Sequence, residues 1–152
     1  MFQKRGIPMK TAIVYYSKHH GNTKKLVDAI AAAHEVTVFN CMEEEPDLSG
    51  FDRIGFASGI YAEHPARKLR RYAAEHLPEH KEVFLIITAG MPNDRYFADL
   101  TKTAEEKHCK VIGTYRCEGF NTFGPFLLVG GTSKGHPTQE EQDAAVRFYE
   151  GL

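Results

Sequence analysis

The chain alternates short, nearly continuous apolar runs with segments in which apolar residues recur every three or four positions. The apolar runs predict strands buried on both faces of a sheet, and the periodic segments predict amphipathic helices. The predicted strands cover residues 11–16, 35–40, 52–58, 83–89 and 110–115. Because strands and helices alternate, the pattern predicts an α/β domain built on a doubly wound, five-stranded parallel sheet.

Each predicted helix has one apolar face. These faces are Thr23, Leu26, Val27, Ile30 and Ala31 in the first helix, Leu69, Tyr72, Ala73, His76 and Leu77 in the second, Tyr96, Phe97, Leu100 and Ala104 in the third, and Ala144, Ala145, Phe148 and Tyr149 in the last. Pro65 suits the first turn of the second helix. Thr138 and Glu141 have capping-box spacing and predict the start of the last helix. The connection between strands two and three, residues 41–51, is near the minimum length for a parallel crossover, so it predicts a short turn of helix or none.

Composition and length predict one domain that needs no metal or disulfide for stability. The chain has 152 residues, of which 42 % are hydrophobic, enough for a single core. Residues 1–8 have no periodic pattern and predict a flexible N-terminal tail before a domain spanning 9–152. Three cysteines, Cys41, Cys109 and Cys117, form no C-x-x-C pair, so we expect ordinary thiols in a reducing compartment.

Charge and hydropathy exclude several classes of function. The formal net charge is -1, whereas a dedicated nucleic-acid-binding protein usually carries a basic surplus. No apolar run approaches the roughly 20 residues of a membrane span, and the N-terminal segment lacks the features of a secretory signal. We therefore expect a cytoplasmic protein that binds neither nucleic acid nor a membrane.

The loops after strands one, three and four are the expected ligand site, because ligands of open α/β sheets bind at the carboxyl ends of the strands. The first loop surrounds Gly21 with short polar side chains and leads directly into a helix. The first N–H groups of a helix lack internal partners and lie at the positive end of its dipole, so they favour a phosphate. Ser17, Asn22 and Thr23 could donate from their side chains, or Asn22 or Thr23 could simply cap the helix.

Other nucleotide and metal motifs do not match. The sequence contains neither G-x-x-x-x-G-K-[ST] nor G-x-G-x-x-G. Residues 119–124 have the first glycine spacing, but Pro125 stands where the phosphate-binding lysine would be. None of the eight histidines belongs to an H-E-x-x-H motif, and we expect no metal site.

Four segments of the chain resemble segments of flavodoxins. Residues 15–23, YYSKHHGNT, together with the helix after them, resemble the phosphate loop that holds FMN in that family. Residues 55–61, GFASGIY, resemble the second flavin loop, and residues 87–91, ITAGM, the third. The stretches 119–125 and 134–137 resemble the C-terminal segment of short, single-domain bacterial flavodoxin-like proteins. The likeness covers nearly all of the chain after Met9.

The resemblance implies the flavodoxin-like strand order 2-1-3-4-5 and an FMN cofactor held without a metal. It implies phosphate contacts in the first loop, from Ser17, Lys18, His19, His20, Gly21, Asn22 and Thr23. It implies ring contacts in the second and third loops, from Ser58, Gly59, Ile60, Tyr61, Thr88, Ala89, Gly90 and Met91.

The isoalloxazine ring is planar and apolar with a polar edge, so it favours an aromatic or thioether flank and backbone hydrogen bonds along that edge. Tyr61 and Met91 are the expected flanks, although Tyr61 could instead simply cover the end of the sheet. Gly59 could allow its peptide to reorient when the flavin is reduced. For Phe120 and Phe123 we expect core packing rather than a place in the pocket wall.

The flavin would carry the electron chemistry, so no residue needs a catalytic role. The first hypothesis is a carrier of electrons between partner proteins. Low-potential carriers of this family are usually strongly acidic, and the net charge of -1 departs from that pattern. The second hypothesis is therefore an FMN-dependent reductase that takes hydride from a nicotinamide and passes electrons to a quinone or a similar acceptor.

A third hypothesis, a regulatory module related to response regulators, fits less well. Ser17 and Lys18 stand where that class needs clustered acidic residues for a metal.

One basic cluster, Arg67, Lys68, Arg70 and Arg71, lies away from the apolar face of its helix. We expect a solvated surface there, with steering of an anionic partner or a nicotinamide phosphate as the alternative.

Overall fold

A parallel sheet forms the middle layer of the protein. The computed structural model describes residues 9–18, 21–119 and 135–152. The parallel strands are β1 (Thr11–Tyr16), β2 (Thr37–Asn40), β3 (Arg53–Tyr61), β5 (Glu82–Ala89) and β6 (Lys110–Glu118), and a two-residue strand, β4 (His64–Pro65), pairs with β3. The sheet order is β2-β1-β3-β5-β6, with every neighbouring pair parallel. The α/β fold class and the predicted order of the five parallel strands are confirmed.

Helices cover both faces of the sheet. The described helices are α1 (Asn22–Ala33), α2 (Arg67–His76), α3 (Ala98–Glu106), which follows a 3₁₀ turn (Asp94–Phe97), and α4 (Gln139–Glu150). Helices α1 and α4 pack on one face, and α2 and α3 pack on the other. The capping box predicted from Thr138 and Glu141 opens α4, with both reciprocal hydrogen bonds present.

Successive residues of each strand supply the cores on opposite faces. In β1, Ile13 belongs to the core that contains Leu26 of α1, whereas Val14 belongs to the core that contains Leu69 of α2. This alternation follows from the two-residue period of side chains along a strand. Because helices cover both faces, the strands read as continuous apolar runs instead of alternating ones.

A tight hairpin after β3 was not predicted. Strand β3 continues to Tyr61, and Ile60 and Tyr61 pair antiparallel with Pro65 and His64. Ala62 and Glu63 form the turn and both have positive φ angles, 49° and 69°, as a two-residue type I′ hairpin requires. Pro65 therefore lies in a strand and not in the first turn of α2, which begins at Arg67. The prediction that His76 is part of the apolar face was also wrong, because its side chain is exposed.

The connection from β2 to β3 contains no helix, in agreement with the prediction from its length. Cys41 and Leu48 are buried and attach it to the core. The Tyr72 hydroxyl of α2 donates a hydrogen bond to the Pro46 carbonyl. Because no helix fills this crossover, a groove remains beside α2.

Several predictions concern residues outside the described part of the chain. These are the N-terminal tail Met1–Pro8, the phosphate-loop residues His19 and His20, and Phe120 and Phe123. The tail and the boundary of the predicted domain stay predictions. Within the described residues, no helix is long and apolar enough to cross a membrane.

Candidate functional site

The loop after β1 has the backbone geometry that its glycine predicts. Gly21 is the N-cap of α1 and lies in the left-handed region, at φ 65° and ψ 30°. Because this N-cap residue is a glycine, it offers no side-chain cap to the helix, and no acidic residue lies in the first turn of α1. The Lys24 amide donates to Ser17 Oγ over 3.3 Å. Ser17 thus faces the helix N-terminus, the position from which a hydroxyl can also reach an anion bound there.

Thr23 links the first loop to the third. Its hydroxyl is buried and lies 2.9 Å from the hydroxyl of Thr88 at the end of β5. The backbone after Thr88 is held as well, because the Gly119 amide donates to the Ala89 carbonyl over 3.0 Å. A Cβ at Gly119 would come within 2.7 Å of Asn22 Nδ2, so the end of β6 packs directly on the start of α1.

The second loop is tied to the start of α2 by Ser58. The buried Ser58 hydroxyl donates to the Gly59 carbonyl over 2.6 Å and accepts from the Ala66 amide over 2.9 Å. Gly59 pairs with Thr88 in the sheet and does not have a positive φ. Its lack of a Cβ serves a close approach instead, since a Cβ there would lie 3.2 Å from the Tyr61 hydroxyl oxygen.

Tyr61 brings the second loop onto the first. Its hydroxyl accepts a hydrogen bond from the Lys18 amide over 3.3 Å, and its ring packs edge-on against Tyr16 with the centroids 5.6 Å apart. Burial raises the pKa of the Tyr61 phenol, and this effect outweighs the hydrogen bond from the Lys18 amide, which lowers the pKa. Tyr61 therefore stays protonated at neutral pH and can donate a hydrogen bond as well as accept one.

The third loop has a buried base and an exposed tip. Thr88 is buried, Ala89 and Gly90 are half-buried, and Met91 is 75 % exposed. Within the described residues, Met91 is the one large hydrophobic side chain that is exposed. An exposed thioether at the carboxyl edge of a sheet offers a soft apolar surface for a ring or a protein.

The described loop residues therefore meet at one edge of the sheet. The contacts of Lys18 with Tyr61 and of Thr23 with Thr88 join the first loop to the second and the third. The roles of these residues toward a ligand stay predictions.

A groove borders this edge on the side of α2. It has a volume of about 840 Å³, and two of the predicted site residues, Lys18 and Tyr61, form part of its lining. The rest of the lining comes from the β1 end, the β2–β3 connection and α2: Tyr16, Cys41, Glu45, Ala66, Arg67, Lys68, Arg71, Tyr72 and Glu75. Residues 21–23 and 88–91 do not line it. Sequence reasoning found the basic cluster but missed the groove, because nothing local signals that the crossover leaves a gap.

Cysteine and metal chemistry receive little support from the described residues. Cys41 and Cys117 are buried free thiols, and burial raises their pKa values to about 11 and about 12.

One cluster could offer ligand atoms to a metal, with one atom each from Glu45, Glu75 and His76 within 4.8 Å of one another. All three side chains are exposed. His76 and His80 are four residues apart, yet α2 ends at His76 and the His80 ring stacks on His108.

Comparisons with known proteins agree with this geometry. A family model described as a flavodoxin domain matches residues 13–113. An uncharacterised protein of Methanocaldococcus jannaschii is 31 % identical over 147 residues, covering 95 % of this chain and 98 % of that protein.

Solved structures share the fold at low sequence identity. A flavodoxin from the domain Archaea has a TM-score of 0.64 at 15 % identity, with 91 % of this chain and 92 % of that chain covered. Flavodoxin 2 from Bacillus cereus has a TM-score of 0.65 at 14 % identity, with 93 % and 99 % covered. A flavoprotein from Lactobacillus acidophilus in complex with FMN has a TM-score of 0.56 at 19 % identity, with 72 % and 93 % covered. With its parallel sheet in the predicted order and a family model matching most of its length, this chain belongs to the flavodoxin domain family.

Proposed function

We propose that the protein binds FMN at the edge where the three loops meet and carries electrons between partner proteins in the cytoplasm. The observation that carries this proposal is the pair of hydrogen bonds, Lys18 to Tyr61 and Thr23 to Thr88, that join the loops after β1, β3 and β5. One of the similar structures contains FMN. The expected cytoplasmic location agrees with buried thiols that are not in disulfides.

The described residues fit the two ends of this cofactor. At the phosphate end, Gly21 turns the backbone with a positive φ at the start of α1, and Lys24 and Lys25 lie in a first turn that holds no acidic side chain. Amides at a helix N-terminus bind phosphate oxygens without a metal. At the ring end, Tyr61 offers an aromatic face and Met91 an exposed thioether.

FMN, when bound, supplies one-electron and two-electron chemistry. The protein's part is then to bind, orient and shield the group. Ser58 stabilises the second loop through its bonds to Gly59 and Ala66, so the backbone that would face the ring edge is held in place. No thiolate is required, and Cys41 stays a thiol because burial raises its pKa to about 11. Met91 at the exposed tip would give a docking partner an apolar contact near a bound flavin.

The first experiment asks whether the purified full chain holds FMN. We expect yellow protein whose flavin, released by heat, is FMN. We also expect Ser17→Ala to weaken FMN binding about tenfold, because one charge-assisted hydrogen bond is lost. Ser49→Ala, in the β2–β3 connection, is the matched control. Colourless protein that does not quench FMN fluorescence would overturn the cofactor assignment and favour a regulatory module.

The second experiment tests the carrier role. We expect reduced nicotinamides alone to leave the flavin oxidised in stopped-flow mixing, while a flavoprotein reductase supplied with NADPH reduces it rapidly. Bleaching by the nicotinamide alone would overturn the carrier assignment.

A second candidate function is an FMN-dependent NAD(P)H reductase acting on quinones or similar acceptors. The groove favours it, because a cavity of about 840 Å³ beside Tyr61 is large enough for a small-molecule substrate. The net charge of -1 also lacks the acidity typical of low-potential carriers. Rapid bleaching followed by quinone reduction would support this candidate.

A further inference from the structure

The groove beside α2 concentrates positive charge on a chain that is nearly neutral. Lys18, Arg67, Lys68 and Arg71 line it, against the two carboxylates Glu45 and Glu75. The whole chain has a formal net charge of -1. Cationic side chains gathered in a concave site raise the local concentration of anions, because low-dielectric walls focus the field.

The groove cations form few ion pairs, and the nearest described contact of Lys18 Nζ is the Tyr16 ring, whose centroid lies 5.8 Å away. Within the described residues, neither Lys18 nor Arg67 forms an ion pair with an acidic side chain, and Lys68 Nζ reaches only the Met42 carbonyl, over 3.5 Å. Arg71 pairs with Glu75 over 3.2 Å, but its side chain is 77 % exposed, and exposed pairs of this kind are weak. Arg70 points elsewhere, because its Nε donates to the Pro65 carbonyl over 2.9 Å.

Three of these cations lie close together on α2. Arg71 lies four residues after Arg67 and three after Lys68, so it neighbours both on the helix surface, and all three line the groove. The first turn contains no acidic residue, although cations near a helix N-terminus are unfavourable unless an anion offsets them. A guanidinium presents a planar fork that matches the oxygens of a phosphate or carboxylate.

The same groove has aromatic walls. Tyr16, Tyr61 and Tyr72 line it, and Tyr61 also belongs to the proposed flavin site. A ligand that combined a planar ring with anionic groups could place the ring near the tyrosines and the anions on α2.

We propose that this groove binds a small aromatic polyanion, with its phosphate or carboxylate groups on Arg67, Lys68 and Arg71 and its ring toward Tyr61. The further role of this ligand as electron donor or acceptor rests on the proposed function, whereas the binding site itself does not. Two sources share the required chemistry, a phosphorylated nucleotide and an aromatic polycarboxylate.

The test titrates the full chain, with and without FMN, by calorimetry. The probes are NADP⁺, NAD⁺, which lacks the 2′-phosphate, and benzene-1,3,5-tricarboxylate. Tighter binding of NADP⁺ than of NAD⁺ assigns the site to a phosphorylated nucleotide, and tightest binding of the tricarboxylate assigns it to a polycarboxylate. In either case we expect Arg67→Gln to weaken binding of the tighter-binding probe about tenfold, because one charge-assisted contact is lost.

Arg147→Gln is the matched control, because it removes the same charge from α4 on the opposite face of the sheet. It should leave probe affinity unchanged. Equal affinity of wild type and Arg67→Gln for every probe would overturn the proposal. So would an equal loss in Arg67→Gln and Arg147→Gln, which would indicate nonspecific attraction by net charge.

FMN fluorescence quenching separates the two proposals. Arg67 is not among the residues proposed to hold FMN, so Arg67→Gln should bind FMN as the wild type does. If the chain does not bind FMN but binds a probe through Arg67, the proposed function is refuted and the proposal for the groove stands. If the chain binds FMN but shows no Arg67-dependent probe binding, only the proposal for the groove is refuted.

Discussion

The hydroxyls of Thr23 and Thr88 lie 2.9 Å apart in the buried interior, 65 residues apart along the chain. Thr23 opens α1 and Thr88 closes the buried part of β5. This contact connects the start of the phosphate loop's helix with the base of the third loop. It therefore couples the stability of the fold to the geometry of the candidate site.

Replacing both threonines by valine should cost less stability than the sum of the two single replacements. Thr88→Val keeps the shape but leaves the Thr23 hydroxyl buried without this partner, at a cost of roughly 1–3 kcal/mol in the free energy of unfolding. The double variant Thr23→Val/Thr88→Val should lose less than the sum of the single losses, because both polar groups are gone. Denaturant unfolding measures all three, with Thr114→Val at an exposed strand position as the control. Strictly additive losses would show that the hydroxyls do not interact.

Gly21→Ala should damage the phosphate loop through backbone strain alone. Among the described residues, no atom outside Gly21 and its chain neighbours lies within 4 Å of a Cβ built there. Its φ is 65°, however, and the left-handed conformation costs an alanine roughly 1–2 kcal/mol. We expect a loss of stability of about that size together with weaker FMN binding. Gly50→Ala is the matched control, since it also has open space and does not have a positive φ. Gly21→Asn should recover part of the loss, because asparagine tolerates this conformation.

Ala62→Gly should make the protein more stable. Ala62 has a φ of 49° in the turn between β3 and β4, so glycine removes the left-handed strain while adding entropy to the unfolded chain. The net gain should be on the order of 0.5 kcal/mol. The same change in a helix, Ala74→Gly in α2, should instead cost about 0.5–1 kcal/mol. Thermal unfolding of both variants measures the opposite signs, and a loss at Ala62 would contradict the strain argument.

Glu141 should make stability depend on pH in the acid range. Burial acts to raise the pKa of Glu141, but hydrogen bonds from the Thr138 amide and the His136 imidazole outweigh it and lower the pKa below 4.5. The folded state therefore favours the charged form, so its contribution is present above pH 4.5 and is lost as pH falls through the folded-state pKa.

Glu141→Gln removes this titration and keeps a side chain suited to the capping box. We expect the stability difference between wild type and Glu141→Gln to shrink as pH falls below 4.5 in urea unfolding. Glu140→Gln, at the exposed neighbouring position, controls for net charge. A difference that stays constant across this range would contradict the role assigned to the Glu141 carboxylate.

The cysteines with raised pKa values should resist alkylation in the folded protein. Burial raises the pKa of Cys41 to about 11 and of Cys117 to about 12, so little thiolate forms at neutral pH. Iodoacetamide should modify them slowly in buffer and quickly in denaturant, as followed by mass spectrometry. Fast labelling of Cys41 in the folded chain would show that the groove exposes a reactive thiol.

Local patterns in the chain were sufficient for most of the fold. The run TAIVYY became β1 with the predicted bounds, and the threonine and glutamate at capping-box spacing opened α4. The β3–β4 hairpin was missed, because the left-handed residues of its turn are an alanine and a glutamate instead of the usual glycine or asparagine.

For the site, the sequence located the loops but not their contacts. Gly21 was identifiable because a glycine between a buried strand and a helix predicts a tight turn. The Thr23–Thr88 and Lys18–Tyr61 bonds join residues far apart in sequence, and no local pattern encodes such pairs.

By itself, then, the sequence determined the order of strands and helices, the faces they bury and the loops that end at the carboxyl edge. These features follow from side-chain periodicity and from backbone preferences over a few residues. Tertiary structure decided which loop side chains touch, that Tyr61 lies over Gly59 toward Lys18, and that a cationic groove opens beside α2. Those outcomes depend on how the sheet brings distant segments together and on the space left by a crossover without a helix.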